Sequence, residues 1–132
     1  MVIDEKVLDE LSAQAKASPR LRMAFDLRNT PEDNSQRMLN ALEPGTELPI
    51  HRHRKTSETI ACLRGRLIIE FYDELERICM ESVELSPNGS VVAVNVPAGQ
   101  WHTLHCMESG TVLLESKDGK YEPLGEEDIL SV

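Results

Sequence analysis

The first hydrophobic pattern in the chain has a period of three to four. Ile3, Val7, Leu8, Leu11 and Ala15 fall on one face of a helix over residues 3–17, and Pro19 stands where a helix commonly stops. Residues 20–33 are irregular, with turn signals at Thr30-Pro31 and Asp33-Asn34, although the alternation of Met23, Phe25 and Leu27 allows an edge strand. After that the period drops to two. Short alternating or apolar runs at 36–42, 47–53, 58–64, 66–72, 77–85, 91–96, 102–107 and 111–117 read as strands. Turn residues separate them at Pro44-Gly45, 54–57, Gly65, 73–76, 86–89, 97–100, 108–110 and Asp118-Gly119. Short strands without intervening helices predict an all-β sandwich or barrel with one short N-terminal helix, and the double Greek-key jelly roll fits the size. The expected organisation is a single domain over 1–132, with the helix in 1–19, the barrel core in 36–117 and a tail at 121–132. The tail is expected to pack along the outside through Ile129 and Leu130.

Composition narrows the partners. A chain of 132 residues with a formal net charge of −9 and a pI near 4.9 lacks the cationic face that a phosphate backbone requires, so nucleic acid is not expected as a ligand. The odd cysteine count (Cys62, Cys79, Cys106), with no CxxC spacing, fits neither a disulfide framework nor a zinc knuckle and points to a reducing cytoplasm. The N-terminus MVIDEKVLDEL puts acids where a signal peptide has a basic region. No apolar run reaches membrane-spanning length, so no membrane partner is expected.

The candidate chemistry centres on residues 45–65. His51 and His53 are two apart, which on a strand places both imidazoles on one face, and Glu58 follows across Arg54, Lys55, Thr56 and Ser57. That gap suits a tight hairpin, which would set three ligands on one sheet face. Further on, the Pro97-Ala98-Gly99-Gln100 turn launches a strand at Trp101-His102, making His102 the candidate fourth ligand. Three imidazoles and a carboxylate suit one divalent first-row transition metal (Fe, Mn, Ni, Co or Zn) with open positions for water or substrate. The ligands bind deprotonated, so occupancy should fall on acidification. His105, three residues from His102, should face the other way and stay out of the site.

Strand parity adds candidates for the cavity. From Glu58 it selects Ile60, Cys62 and Arg64, and from His102 it selects Leu104 and Cys106. The two cysteines read as small apolar fillers, and Arg64 becomes a candidate substrate contact. Arg37 and Asn40 differ in parity. The Arg37 guanidinium suits an anionic substrate group, or equally a surface ion pair. Trp101 would offer a flat face to a sugar at the mouth, or pack at a sheet edge. Glu115 and Lys117 share a face as an acid/base pair or as a salt bridge, which makes Lys117, with Arg37, a catalytic candidate. Tyr121 is a candidate lid and substrate contact, with core packing as its alternative. The basic run 52–55 reads as a solvated turn.

Two spacings carry a family resemblance. Gly45-x5-His51-x-His53-x4-Glu58-x6-Gly65 matches the first motif of the cupin superfamily without a gap, and Pro97-x-Gly99-x2-His102 matches the core of the second. Gly89 lies two residues further upstream than that motif usually has it, and Cys106 stands at its asparagine place. The chain also resembles the WbuC-type cupin-fold metalloproteins, through Phe25-Asp26-Leu27-Arg28, residues 36–42 (QRMLNAL), His51-Arg52-His53, residues 99–103 (GQWHT) and Glu115-x-Lys117-x-Gly119-x-Tyr121. The resemblance implies a metal-binding cupin associated with bacterial surface polysaccharides. The expected function is a metal-dependent enzyme acting on a small polar metabolite such as a sugar or sugar-nucleotide intermediate, by isomerisation, epimerisation, dehydration or dioxygen-dependent oxidation. The alternative is a non-catalytic, metal-dependent ligand-binding or regulatory module. A thiol dioxygenase would use three histidines without the glutamate, and Glu58 counts against it. A homodimer is expected from the resemblance and from the need to cover sheet edges.

Overall fold

The computed structural model describes the whole chain, Met1–Val132. Helix α1 (Glu5–Ala17) begins two residues later than the apolar pattern implies, because the Asp4 side chain caps it by accepting the Val7 backbone N–H at 3.1 Å. Its apolar face, Leu8, Leu11 and Ala15, packs on Leu39, Ala41 and Val112. These last residues lie on the outer face of a five-stranded antiparallel sheet in the order β1 (Arg22–Asp26), β2 (Gln36–Leu42), β9 (Thr111–Lys117), β4 (Glu58–Arg64), β7 (Ala93–Val96). The alternation of Met23 and Phe25 does form an edge strand, β1, paired only with β2.

A second antiparallel sheet has the order β10 (Ile129–Leu130), β3 (Ile50–His51), β8 (Trp101–Cys106), β5 (Leu67–Tyr72), β6 (Cys79–Leu85). The inner faces of the two sheets enclose Leu42, Ile60, Cys62, Leu67, Ile69, Leu85, Val96, Cys106 and Leu113. This is the all-β jelly-roll arrangement, with the helix plastered on the outside of one sheet. The tail does more than pack outside, since Ile129 and Leu130 pair with His51 and Ile50 and so extend the sheet that carries the first histidine.

Most strand bounds agree with the sequence pattern to within two residues, but two expectations change. The run 47–53 contracts to Ile50–His51, following Pro49, which has no N–H to give to a ladder. The turn after His53 is no hairpin. β3 lies in one sheet and β4 in the other, so residues 52–57 cross between the sheets and Glu58 faces the histidines across the barrel instead of beside them.

Gly65 closes the β4–β5 connection at φ +84°, and a Cβ there would come within 2.7 Å of the Thr111 Cα; Gly99, at φ +86°, has open space around it. Gly99→Ala should therefore cost about 1–2 kcal/mol through its backbone alone, and Gly65→Ala about 2–5 kcal/mol, because strain and collision add. Urea unfolding of both variants checks the order, and equal losses would contradict it.

Candidate metal centre

His51 is the last residue of the two-residue strand β3 and lies in register with His102 near the start of β8, so the two rings adjoin, centroids 4.4 Å apart and planes tilted by 48°. His53 follows after the chain has left the sheet, yet its ring stays on the same side, 5.0 Å from His51 and 5.9 Å from His102. Glu58 opens β4 on the facing sheet, 2% exposed, paired in register with Val96 and Lys117. One ligand atom from each of His51, His53, Glu58 and His102 lies within 4.8 Å of all the others.

The hydrogen bonds orient these groups for a cation. His51 Nδ1 lies 2.9 Å from the Pro49 carbonyl and His102 Nδ1 2.9 Å from the Gln100 carbonyl, so each Nδ1–H donates to backbone and each Nε2 is left with its lone pair. His102 Nε2 meets Glu58 Oε1 at 2.8 Å. An imidazole lone pair and a carboxylate oxygen repel at that distance unless a proton or a metal ion lies between them. Glu58 Oε2 is buried, 3.7 Å from both His53 Nε2 and Lys117 Nζ, and the one further side chain that hydrogen-bonds Glu58 is the carboxyl of Glu115. A buried carboxylate facing three imidazoles, two of them with the other ring nitrogen tied back to backbone, is what a divalent first-row metal site requires.

The protonation states agree with this. Burial lowers His51 and takes His53 down to about 4, with the charges of His102 and Lys117 respectively the next largest contributions, so both rings are neutral at neutral pH. Burial alone would raise Glu58, but a proton in the Glu58–His102 contact, through its hydrogen bond and its charge, outweighs burial and holds the carboxyl well below its usual range; a metal ion in that contact would act in the same sense. Glu115, behind Glu58, is pushed the other way by burial and by the Glu58 charge, so it keeps its proton; Asn40 Nδ2 donates to its Oε2 at 3.2 Å. One member of this carboxyl pair is therefore ionised and the other neutral.

The remaining sequence candidates separate cleanly. Lys117 reaches the site, 8% exposed. Arg37 does not: β2 turns Gln36, Met38 and Asn40 inward, while Arg37 binds Asp33 at 3.0 Å and the Ser35 carbonyl at 2.9 Å on the other face. Arg64 is turned away by a register shift between Cys62 and Arg64, and bonds Asp9, Ser12 and the Gly110 carbonyl beside α1. Trp101 lies on the face opposite His102, 5% exposed, with the Arg52 guanidinium 4.5 Å above its ring, so it packs under Arg52 on the outer side of β8, the middle strand of its sheet, away from the metal ligands. Tyr121 is 58% exposed, so it is not a core residue, and it stands between Lys120 and Glu122 of the cleft wall described below. Cys62 and Cys106 face the barrel interior, and burial pushes the Cys62 thiol up to about 11, an inert filler. His105 faces outward and pairs with Glu70 at 2.6 Å.

Sequence reasoning passed over Gln36, buried on the inner face in register with Lys117. Its parity with Asn40 was the available signal. It also passed over Asp128, which takes Arg54 at 2.7 Å and Arg52 at 3.2 Å and fixes the tail along the crossing segment. Between that tail and residues 52–56 runs a cleft of about 540 Å³ that reaches His53 and Lys117.

Fold and site together define a cupin-fold protein with a candidate three-histidine, one-glutamate metal centre. The chain belongs to the DUF6016 family, a domain of unknown function whose model matches residues 3–84, a span that takes in His51, His53 and Glu58. Similar solved structures include TT1209 from Thermus thermophilus, with a TM-score of 0.64 at 20% identity over 91% of this chain and 98% of that one. KdgF from Halomonas sp. gives 0.61 at 16% identity over 79% and 84%. CapF of Staphylococcus aureus, a capsular polysaccharide assembling protein, gives 0.63 at 21% identity over 80% and 30%, so the chain spans under a third of that protein. These likenesses show the cupin fold. No curated protein matches the sequence.

The depressed pKa of His53 sets a measurable linkage. Between 6.5 and about 4 the unfolded ring takes a proton that the folded ring refuses, so falling pH favours unfolding through this group. Metal-free wild type should lose stability relative to His53→Gln as pH falls through that window. A constant difference between their unfolding midpoints would contradict the burial of His53.

Proposed function

We propose that this protein is a WbuC-type cupin metalloenzyme, in which His51, His53, Glu58 and His102 hold one divalent first-row transition metal, Fe, Mn, Ni, Co or Zn. Its substrate is a small polar metabolite, a sugar or sugar-nucleotide intermediate of surface polysaccharide synthesis. The observation that carries this reading is the convergence of one ligand atom from each of His51, His53, Glu58 and His102 within 4.8 Å, with the second ring nitrogens of His51 and His102 tied to backbone carbonyls. Bound there, such an ion supplies Lewis-acid polarisation of a substrate carbonyl or hydroxyl. The chain's own contributions are distinct. Lys117 places a positive charge beside the site for an anionic group, and the neutral Glu115, held by Asn40, keeps Glu58 as the ionised partner. The cleft gives access while the barrel core excludes water from the far side. The surface-polysaccharide setting is supported by the fold shared with CapF and by the sequence resemblance. The whole chain acts as one domain in this reading, since the tail strand β10 completes the sheet that carries His51; a cytoplasmic homodimer follows from the family resemblance and the exposed edge strands β1 and β6.

Elemental analysis of purified protein should find stoichiometric metal in wild type and Lys117→Met, and most of it lost from His51→Ala and His102→Ala. Equal metal content in wild type and His51→Ala would remove the site. Incubation of metal-loaded protein with candidate sugars and sugar nucleotides should then yield product with at least one of the metals. Saturable binding without product for every metal would make the protein a binding module instead.

A further inference from the structure

The walls of the cleft narrow the ligand. Its lining contains one hydrophobic side chain, Leu124, and no tryptophan, tyrosine or phenylalanine. Trp101 is turned to the opposite face under Arg52, and Tyr121 is not among the lining residues. A nucleobase is held largely by stacking, worth about 1–3 kcal/mol per base on an aromatic ring, and nothing here offers that surface. The volume, about 540 Å³, falls within the range of small-molecule sites.

Charge adds a second constraint. In a chain of net charge −9, the cleft gathers Arg52, Arg54, Lys55, Lys117 and Lys120 against Asp118, Glu122, Glu127 and Asp128. Arg52 and Arg54 are spent on Asp128 and Glu127, whereas Lys55 and Lys120 form no ion pair. Lys117 sits at the inner end, and a Glu58 committed to a cation would leave its ammonium free for another anion. One strand over from Lys117 and paired with it in register, on the same inward face but behind the lining of the cleft, Gln36 is 2% exposed; its Oε1 has no partner, and its Nε2 meets only the Met38 sulfur at 3.9 Å. Whichever way the amide is placed, one of its polar atoms is unanswered, and a hydroxyl, both donor and acceptor, can answer either.

We infer that the ligand is a monosaccharide-sized polyhydroxylated anion, a sugar acid or sugar phosphate without a nucleotide, its anionic group on Lys117 and a hydroxyl on Gln36. This deepens the enzyme reading above and rests on it for the role of the metal. Calorimetric titration of the metal-loaded protein with glucuronate, glucose 6-phosphate, glucose and UDP-glucose tests it, the first two separating carboxylate from phosphate. The expected result is that at least one of the two anions binds about tenfold or more tighter than glucose, and that UDP-glucose binds no tighter than that anion. Lys117→Met should abolish the preference for the anion while keeping its metal, and Gln36→Leu should weaken all three monosaccharides. Tightest binding by UDP-glucose, equal binding of glucose and the anions, an anion preference that survives Lys117→Met, or no saturable binding of any probe would overturn the assignment. Metal content measured on the same samples keeps the two readings apart. Anion preference in a protein that binds no metal would sink the metalloenzyme reading alone, and full metal content with no such preference would sink this one alone.

Discussion

The contact between Glu58 and His102 joins the two sheets at their polar end, and the rest of the site is arranged around it. A carboxylate 2% exposed is costly unless its charge is answered, and here the answer comes from the facing sheet at 2.8 Å. The Gln100 carbonyl fixes the His102 tautomer, so Nε2 has no proton of its own to give unless the ring becomes cationic. The space between the two groups therefore calls for a cation. Glu115 accepts the neutral role that lets Glu58 remain charged, and His51 and His53 stay neutral through burial.

The strand carrying the first histidine is only two residues long and is held from three sides. β8 aligns His51 with His102, β10 pairs along its other edge, and Arg52 and Arg54 anchor to Asp128 just beyond. Arg52 also covers the Trp101 ring. The tail that forms one wall of the cleft is thus the same segment that steadies the His51 strand, so ligand access and ligand-strand position share a structural element.

Much of this was legible from residue order. Period-two runs placed β2, β4 and β9 to the residue, and the His-x-His spacing with the Pro97-x-Gly99-x2-His102 turn identified the residues that converge. What the order of residues could not say is which sheet a strand joins. A gap of four residues is as compatible with a hairpin as with the crossing that sets Glu58 opposite the histidines, since both bring the carboxylate near the rings. The Arg64 error has a different origin: parity counting assumes an unbroken pleat, and the shift at Cys62/Arg64 turns the guanidinium toward Asp9. For Trp101 the residue type was informative and its face was not, because a tryptophan next to a ligand is forced to the opposite side of the same strand.

The site functions as proposed only if the four side chains surround a metal ion. Crystals of the protein as purified, measured on either side of the iron, manganese, nickel, cobalt and zinc absorption edges, test it directly. One anomalous peak per chain is expected, within about 2.0–2.2 Å of Nε2 of His51 and His102, a ring nitrogen of His53 and a Glu58 carboxylate oxygen. A structure with Glu58 and His102 in direct contact and no peak between them, or with the peak elsewhere, would contradict it.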